Sequence, residues 1–198
     1  MDFTRTIYKT LLTSLQSAGY VFFTFEEYLN KEATTAQCVI LRHDIDAKAG
    51  NALAVAEVEA ALGIRASYYF RIVPESNQPE IIKKIAAMKH EIGYHYENMD
   101  MAFRELVKNK EITKGDIERI AKELQELKDE RREMSSEQLT SHLSHLTSHL
   151  LHTAYEDFKK NLKKLREFAS VKTICMHGSP RSPYDSKDLW NVYNYKDF

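Results

Sequence analysis

Apolar and polar positions alternate along the first half of the chain in a way that predicts strands separated by helices. The continuous apolar or β-prone runs lie at residues 38–41, 64–70 and 92–96. Residues 3–18 carry apolar positions at helical spacing, and residues 49–62 are alanine-rich and amphipathic and end before Gly63, a typical left-handed cap. Residues 79–89 begin with a proline, which suits the first turn of a helix. The resulting strand–helix–strand–helix–strand order predicts a parallel sheet in an α/β fold.

The alternation stops after about residue 100, where two long amphipathic helices are predicted instead. Apolar residues share one face of residues 115–132, with charged residues elsewhere, and a second helix is predicted over residues 136–168. A strand pattern returns at residues 171–176. We therefore expect a single domain covering residues 1–198, with a helical insertion at about residues 104–168 between two strands of one sheet.

A histidine-rich stretch lies within the predicted insertion. Four of the eight histidines of the chain fall there: His142, His145, His149 and His152. A pair of histidines four residues apart can chelate a divalent ion, but a tight site usually recruits a third ligand, so we interpret the stretch as a histidine-rich exposed or interfacial helix face. A seam of leucines beside it serves either packing within the chain or a homo-oligomer, and both alternatives stay open.

Composition and charge argue against several kinds of partner. The chain has 198 residues and 43% hydrophobic composition, enough to bury one substantial core, and its formal net charge of -1 argues against nucleic acid or an anionic membrane. No apolar run approaches the roughly 18 residues of a membrane span. The first residues lack the basic flank and apolar segment of a signal peptide, so we expect a cytoplasmic protein. Cys38 and Cys175 lie within apolar runs and are interpreted as small buried side chains.

Acidic and histidine residues follow the apolar runs. Residues 42–46 (Arg-His-Asp-Ile-Asp) follow the first run, His95 ends the third and His177 follows the last. In α/β proteins the carboxyl ends of parallel strands are where sites are built, so these equivalent positions predict one polar pocket. Residues two apart in a strand point the same way, so Asp44 and Asp46 share that pocket if the strand continues to Asp46. A divalent metal then relieves the repulsion between the two carboxylates.

A structural interpretation of the same residues stays open. Asp46 could cap the helix that begins near Ala49, and Asp44 could pair with Arg42 or another cation. Aspartate and histidine are nevertheless suitable zinc ligands and acid–base groups, and the set indicates chemistry more strongly than any single member. His90 precedes its strand at the end of a helix, where a cation is favoured, and is interpreted as structural.

Residues 42–46 resemble the first motif of the polysaccharide deacetylases, the NodB-homology family, in the variant with an apolar residue between the two acids. Residues 90–95 (His-Glu-Ile-Gly-Tyr-His) resemble the second motif, and the resemblance covers mainly residues 38–100 and 170–198. It implies a distorted or incomplete (β/α) barrel. It also implies a metal-dependent hydrolase, often a zinc enzyme, that removes acetyl groups from N- or O-acetylated carbohydrates and acts on C–N bonds other than peptide bonds.

The resemblance assigns roles by position. Asp44 matches the catalytic base, Asp46 matches a metal ligand and His95 matches the first metal-binding histidine. In this mechanism, backbone donors near Tyr96 or Gly178 would stabilise the oxyanion of the attacked acetyl group, and the Tyr96 ring would offer stacking surface to a sugar.

The third metal ligand is where the chain departs from the family. Met99 stands where the family has a second metal-binding histidine. An oxygen ligand from Glu97 or Asn98, or an inward-turned His177, would then complete the site. The usual late catalytic histidine has no counterpart before Phe198, so His177 takes the role of general acid, or the chain is a fragment or a degenerate member.

A third string of the family occurs near the end of the chain. Residues 181–184 (Arg-Ser-Pro-Tyr) match the Arg-x-Pro-Tyr motif, in which the arginine orients the base and the tyrosine helps shape the pocket. The resemblance therefore implies that Arg181 and Tyr184 contact the substrate together with Tyr96.

Two hypotheses from different classes follow. The first is a metal-dependent carbohydrate deacetylase, with zinc, that acts on an acetylated sugar or polysaccharide precursor in surface polysaccharide biosynthesis; Asp44 takes the proton of water and His177 protonates the leaving amine. The second is a catalytically degenerate or truncated deacetylase-like protein that acts as a binding or assembly module. Amide hydrolysis on a non-sugar substrate stays open as a third, since the chemistry is indifferent to what carries the acyl group.

Overall fold

The protein is an α/β structure with parallel strands. The computed structural model describes residues 4–30, 37–130, 143–178 and 182–198. Two compact units make up the chain: unit 1 comprises Met1–His95 and Leu162–Cys175, and unit 2 comprises Tyr96–Asn161 and Met176–Phe198. The α/β class and the parallel pairing expected from the sequence are confirmed.

Unit 1 contains the two sheets, apart from the last residue of β5 and of β6. The strands are β1 (Val21–Phe23), β2 (Cys38–Ile40), β3 (Arg42–Ile45), β4 (Ser67–Phe70), β5 (Glu91–Tyr96) and β6 (Val171–Met176). The helices are α1 (Arg5–Ser17), α2 (Phe25–Asn30), α3 (Ala49–Ala61) and α4 (Pro79–Ala87). Strands β1 and β2 form a parallel pair, and the larger sheet has the order β3-β4-β5-β6 with β3, β4 and β5 parallel. Helices α3 and α4 are thus the crossovers that the alternating pattern predicted.

Local sequence signals set the ends of these helices. The Thr4 side chain accepts a hydrogen bond from the backbone N–H of Ile7 at 3.2 Å and caps the start of α1. Gly63, with a φ of +70°, follows the end of α3 in the left-handed conformation that glycine adopts without strain. Pro79 occupies the first turn of α4.

Residues 42–45, which include Arg42 and Asp44, form a strand of their own, whereas the sequence predicts that they follow a strand. A single strand was expected over residues 38–41, but β2 pairs with β1, and β3 starts a second sheet after Leu41. Burial along β3 alternates between exposed and covered positions, with Arg42 and Asp44 on the open face and Ile45 buried. This alternation is typical of a half-buried strand. Because residues 42–45 follow the apolar run at residues 38–41 directly, the sequence shows no boundary between β2 and β3.

Unit 2 is helical. Its helices are α5 (Asn98–Lys108), α6 (Lys114–Glu130), the first part of α7 (His145–Arg166) and the short α8 (Leu189–Val192), with 3-10 turns at Ser186–Asp188 and Tyr195–Asp197. Helix α6 corresponds to the helix predicted over residues 115–132. Aromatic rings fill the core: the Phe158 ring centroid lies 5.6 Å from that of Tyr96 and 5.0 Å from that of Trp190.

The long helices are amphipathic. Helix α6 buries Ile120, Leu124 and Leu127 while its charged residues face solvent, and α7 buries Leu150 and Phe158. Over the described ranges, no helix combines the length and the apolar character needed to cross a membrane.

Gly93 lies at a close approach between neighbouring strands of the larger sheet. It is the register partner of Tyr69 on β4, which is itself the partner of Asp44 on β3. A Cβ atom built on Gly93 overlaps the Tyr69 ring, and that ring is only 3% exposed. Glycine is therefore required here for space rather than for backbone conformation.

We expect Gly93→Ala to lower the free energy of unfolding by about 1–3 kcal/mol, because the Tyr69 ring has to move within a packed environment. Urea denaturation followed by circular dichroism measures the change. Gly50→Ala in α3 is the matched control, since a Cβ there meets no atom within 4 Å, and it should leave stability unchanged or slightly raised. Equal losses in the two variants, or none in either, would contradict the packing argument.

Candidate functional site

The sheet register brings residues of two strands to one edge of the sheet. Asp44 on β3 and Gly93 on β5 are both partners of Tyr69 on the strand between them. His95 lies two residues beyond Gly93, and Asp46 lies two residues beyond Asp44. Because the strands are parallel, Asp46 and His95 therefore stand at the same level along the sheet.

The side chains meet as this register requires. The Nε2 atom of His95 lies 3.6 Å from Oδ1 of Asp46 and 4.0 Å from Oδ2 of Asp44. The imidazole is only 3% exposed, whereas the side chains of Asp44 and Asp46 are 35% and 55% exposed. The site thus has a buried histidine at its base and two carboxylates at its rim.

A backbone carbonyl fixes the orientation of the His95 ring. Nδ1 of His95 lies 3.2 Å from the carbonyl oxygen of Cys175. A carbonyl can only accept, so Nδ1 carries the hydrogen and Nε2 is the nitrogen that faces the two carboxylates. In the neutral ring, that nitrogen presents a lone pair to two anions, an arrangement that a proton or a metal cation at Nε2 would stabilise. A histidine held by a carbonyl in this way is the usual second-sphere arrangement of a metal-binding imidazole.

Cys175 is a member of this site that the sequence interpretation missed. Its Sγ, one carboxylate oxygen of Asp44 and one ring nitrogen of His95 all lie within 4.8 Å of one another. Cys175 is half-buried and forms no disulfide bond with any residue that the structure describes. The apolar run in which Cys175 lies predicts a small buried side chain, and only the pairing of β6 with β5 brings it next to His95.

Arg42 holds the Asp44 carboxylate from the same strand. Its Nε donates to Oδ1 of Asp44 at 2.8 Å and its terminal nitrogen donates to Oδ2 at 2.6 Å, a two-pronged pair. The guanidinium carbon also lies 5.5 Å from the centroid of the Tyr69 ring. These hydrogen bonds to Asp44 raise the pKa of the Arg42 guanidinium above its ordinary value. The pairing of Asp44 with Arg42 that the sequence left open is therefore observed.

The other structural alternative concerned Asp46 as a helix cap. The residue that precedes α3 is Lys48, in the left-handed conformation with a φ of 54°, and its own side chain forms no cap hydrogen bond. Asp46 follows β3, and its Oδ1 lies 3.6 Å from Nε2 of His95.

The opposite face of β3 carries a buried ionic network. Nε2 of His43 lies 2.7 Å from Oε1 of Glu59, and the hydroxyl of Tyr68 donates to Oε2 of the same carboxylate at 2.6 Å. The hydroxyl of Tyr8 also donates to Oε1. Glu59 is completely buried at the C-terminal end of α3.

These contacts determine the charge of Glu59. Burial opposes its ionisation, but the hydrogen bonds with His43, Tyr68 and Tyr8 outweigh that effect and hold the pKa of the Glu59 carboxyl below its ordinary value. Burial, with the neighbouring Glu59 anion, raises the pKa of both tyrosine hydroxyls, so they remain donors. From the sequence, a glutamate in an alanine-rich helix is expected to face solvent. The sequence therefore does not predict this network.

His90 is structural, as the sequence indicated, but it is not a helix-terminal cation. Its Nδ1 accepts from the backbone N–H of Ala66 at 3.1 Å, and its Nε2 donates to the carbonyl of Ala56 at 3.1 Å. One acceptor and one donor nitrogen define a neutral ring, and burial accordingly lowers the pKa of His90.

Three other predicted site residues are buried in unit 2. Tyr96 is 4% exposed and its hydroxyl accepts from Nε1 of Trp190 at 2.7 Å. Glu97 is 7% exposed and directly precedes α5, in which Met99 is fully buried. Tyr184 is buried, its hydroxyl donates to the carbonyl of Ile117 at 3.4 Å, and burial raises its pKa to about 12.

His177 follows β6 in the chain and belongs to unit 2. Its backbone N–H donates to the carbonyl of Tyr96 at 2.8 Å, and its side chain lines a cavity of about 570 Å³ with Lys128, Tyr184 and Asp188 among the other lining residues. Arg181 lies outside the described residues. The structure therefore brings Asp44, Asp46 and His95 together in unit 1.

Comparisons with family models, curated proteins and solved structures find no match to this chain. What the protein does is therefore inferred from the side chains of unit 1 and from the motif resemblance in residues 42–46 and 90–95. Those side chains can bind a divalent cation and can accept a proton at a carboxylate.

Proposed function

We propose that this chain is a metal-dependent hydrolase of the polysaccharide deacetylase type, with a distorted or incomplete (β/α) barrel fold, that removes the acetyl group of an N- or O-acetylated carbohydrate. One observation supports it above the others: His95 is held through Nδ1 by the Cys175 carbonyl while its Nε2 faces Asp46 at 3.6 Å. The motif resemblance selects acetylated sugar as the substrate class.

The residues at this edge of the sheet fit a zinc ion. Asp46 and His95 offer a carboxylate oxygen and an imidazole nitrogen, and the Cys175 thiol lies beside His95. Imidazole and thiolate favour zinc over magnesium or calcium, which prefer oxygen ligands. When bound there, zinc would supply Lewis acidity, which lowers the pKa of water and polarises an acyl carbonyl. Glu97 as a further ligand stays a prediction.

Asp44 acts as the general base. Arg42 engages both of its oxygens and thereby fixes the direction of the carboxylate, while the 35% exposure of Asp44 leaves it accessible to water and substrate. A cavity of about 330 Å³ opens beside it, lined in part by Lys48 and Asn51. Asp44 accepts a proton from the attacking water, the acyl bond to the sugar nitrogen or oxygen breaks, and acetate and the free sugar group are released.

Several roles expected from the resemblance are carried forward as predictions. His177 is proposed as the acid that protonates the leaving amine. Tyr96, Arg181 and Tyr184 are proposed to contact the substrate. Each is testable by a single alanine substitution with acetate release as the readout.

Zinc binding and acetate release test the proposal together. We expect the wild-type protein to bind zinc at this site in isothermal titration calorimetry and to release acetate from N-acetylhexosamine oligomers or O-acetylated sugars. His95→Ala and the more exposed Asp46→Ala should each remove this equivalent of zinc and the acetate release. His152→Ala, an exposed histidine on α7, is the control that should change neither. A zinc stoichiometry in both Asp46→Ala and His95→Ala that equals that of the wild-type protein would eliminate the site.

The alternative, a deacetylase-like binding or assembly module, is favoured by one observation. Both oxygens of Asp44 are engaged by Arg42, as in a structural ion pair. Zinc bound at the site with no acetate released from any acetylated sugar would support this alternative over the enzyme.

A further inference from the structure

Two histidines share one face at the start of α7. His145 and His149 are separated by one helical turn, and their rings stack at 18° with centroids 6.3 Å apart. His145 is exposed, and the His149 side chain is 38% exposed. Side chains four residues apart on a helix project together, so both imidazoles are presented to the same volume of solvent.

A carboxylate from another part of unit 2 already contacts His149, one member of this pair. Oε2 of Glu111, in the segment between α5 and α6, lies 2.9 Å from Nε2 of His149. Nδ2 of Asn109 donates to the other oxygen of Glu111 at 3.2 Å. The hydrogen bonds from His149 and then Asn109 lower the pKa of the Glu111 carboxyl, so it is an anion at neutral pH.

We propose that Glu111, His145 and His149 form a second, surface metal site for zinc or a similar late first-row divalent cation. The three side chains supply two imidazole nitrogens and one carboxylate oxygen, the donor set that such cations prefer. The cation would lie between His149 Nε2 and Glu111 Oε2, with the imidazole hydrogen on Nδ1 of His149 instead of Nε2, and the exposed His145 would turn its ring to add the second nitrogen.

A cation at this site would join the start of α7 to the segment that connects α5 with α6. Asn109 would act as the outer partner that orients the Glu111 carboxylate, as outer partners do in metal sites. The sequence supplied the histidine pair but not the third ligand, because Glu111 is 38 residues away from His149 in the chain. The site is independent of the proposed deacetylase function.

Zinc titration of the full chain tests this site, with Asp46→Ala as the background so that the site at His95 does not contribute. We expect one equivalent of zinc to bind to Asp46→Ala and to raise its melting temperature. Adding His149→Ala should weaken that binding at least about 100-fold and abolish the thermal shift, and adding Asn109→Ala should weaken it about 10-fold. Adding His152→Ala, the matched control on the same helix, should leave binding unchanged.

The outcomes separate this site from the proposed catalytic one. Zinc binding that is unaffected by His145→Ala and His149→Ala would overturn the surface site, as would an equal loss in the His152→Ala control. A failure of the proposed function looks different, since zinc stoichiometry would then be the same in the wild-type protein and in Asp46→Ala. Because the substituted histidines are exposed or half-exposed, the variants should retain the wild-type circular dichroism spectrum.

Discussion

Glu59→Ala should lower the free energy of unfolding by about 3–5 kcal/mol, because it removes one partner of a buried ionic network and leaves the others unpaired. His43 loses its carboxylate, and the hydroxyls of Tyr8 and Tyr68 lose their acceptor. The substitution also leaves a cavity where a completely buried side chain stood. Few single substitutions in this chain should have a larger effect on stability.

Urea denaturation at several pH values measures this effect. Glu57→Ala is the matched control, since Glu57 lies two residues away on α3 and faces solvent, and it should change stability by no more than about 0.5 kcal/mol. Glu59→Gln keeps the shape but not the charge and should fall between the two. A loss for Glu59→Ala no greater than that of Glu57→Ala would refute the network's role.

The pH dependence follows from the direction of the Glu59 shift. Its pKa in the folded protein lies below the ordinary value of 4.5. The stability that Glu59 contributes is therefore fully present above about pH 4.5 and is lost as the pH falls through the lower, folded-state value. The stability difference between the wild-type protein and Glu59→Ala should accordingly shrink towards acid.

Asp44→Asn should lower kcat/KM for acetate release by about 10²–10⁴-fold, the usual contribution of a general base. The amide has the shape of the carboxylate and still offers Arg42 an acceptor, so the fold and the zinc affinity should be retained. Asp46→Asn should differ by losing the equivalent of zinc that binds at His95. Calorimetry and acetate release on the same preparations separate the two roles, and loss of zinc from Asp44→Asn would show that Asp44 is a ligand rather than the base.

Arg42→Lys extends the same experiment to the group that positions Asp44. Lysine keeps the charge but cannot form the two-pronged contact, so kcat should fall about tenfold with KM unchanged. Arg104→Lys is the matched control, because the exposed Arg104 also pairs with an aspartate, the buried Asp100 of unit 2, away from the proposed site. A KM effect without a kcat effect would assign Arg42 to substrate binding instead.

Local periodicity predicted α1, α3, α4, β2, β4, β5 and β6, but it predicted neither α2 nor a separate strand β3, and it did not show which strands would pair. Residues 38–45 formed one apolar-to-polar transition in the sequence, yet they provide strands to two different sheets. Which sheet a strand joins depends on non-local partners, Val21–Phe23 in one case and Ser67–Phe70 in the other. The pattern of apolar and polar residues along the chain does not indicate which of these partners a strand will pair with.

The same limit applies to the site. The rule that strand ends share an edge predicted that Asp44, Asp46 and His95 would meet, and the structure brings them together, while their roles stay predictions. The position of Cys175 next to His95 could not be predicted, because it depends on strand pairing. The network around Glu59, on the opposite face of β3, could not be predicted either, because it depends on how α3 packs against β3. The pairing of Arg42 with Asp44 could be predicted from the sequence, since residues two apart on a strand share a face.

The carbonyl that orients His95 has a consequence for the order in which the protein can mature during synthesis. Cys175 lies 80 residues after His95 in the chain. At a translation rate of about 5–20 residues per second, the ribosome needs about 4–16 s to produce Cys175 after His95. Until then β5 lacks its neighbour β6, and the imidazole lacks its fixed orientation. Nascent chains that stop before β6 should therefore bind zinc at the proposed site more weakly than chains that include Cys175.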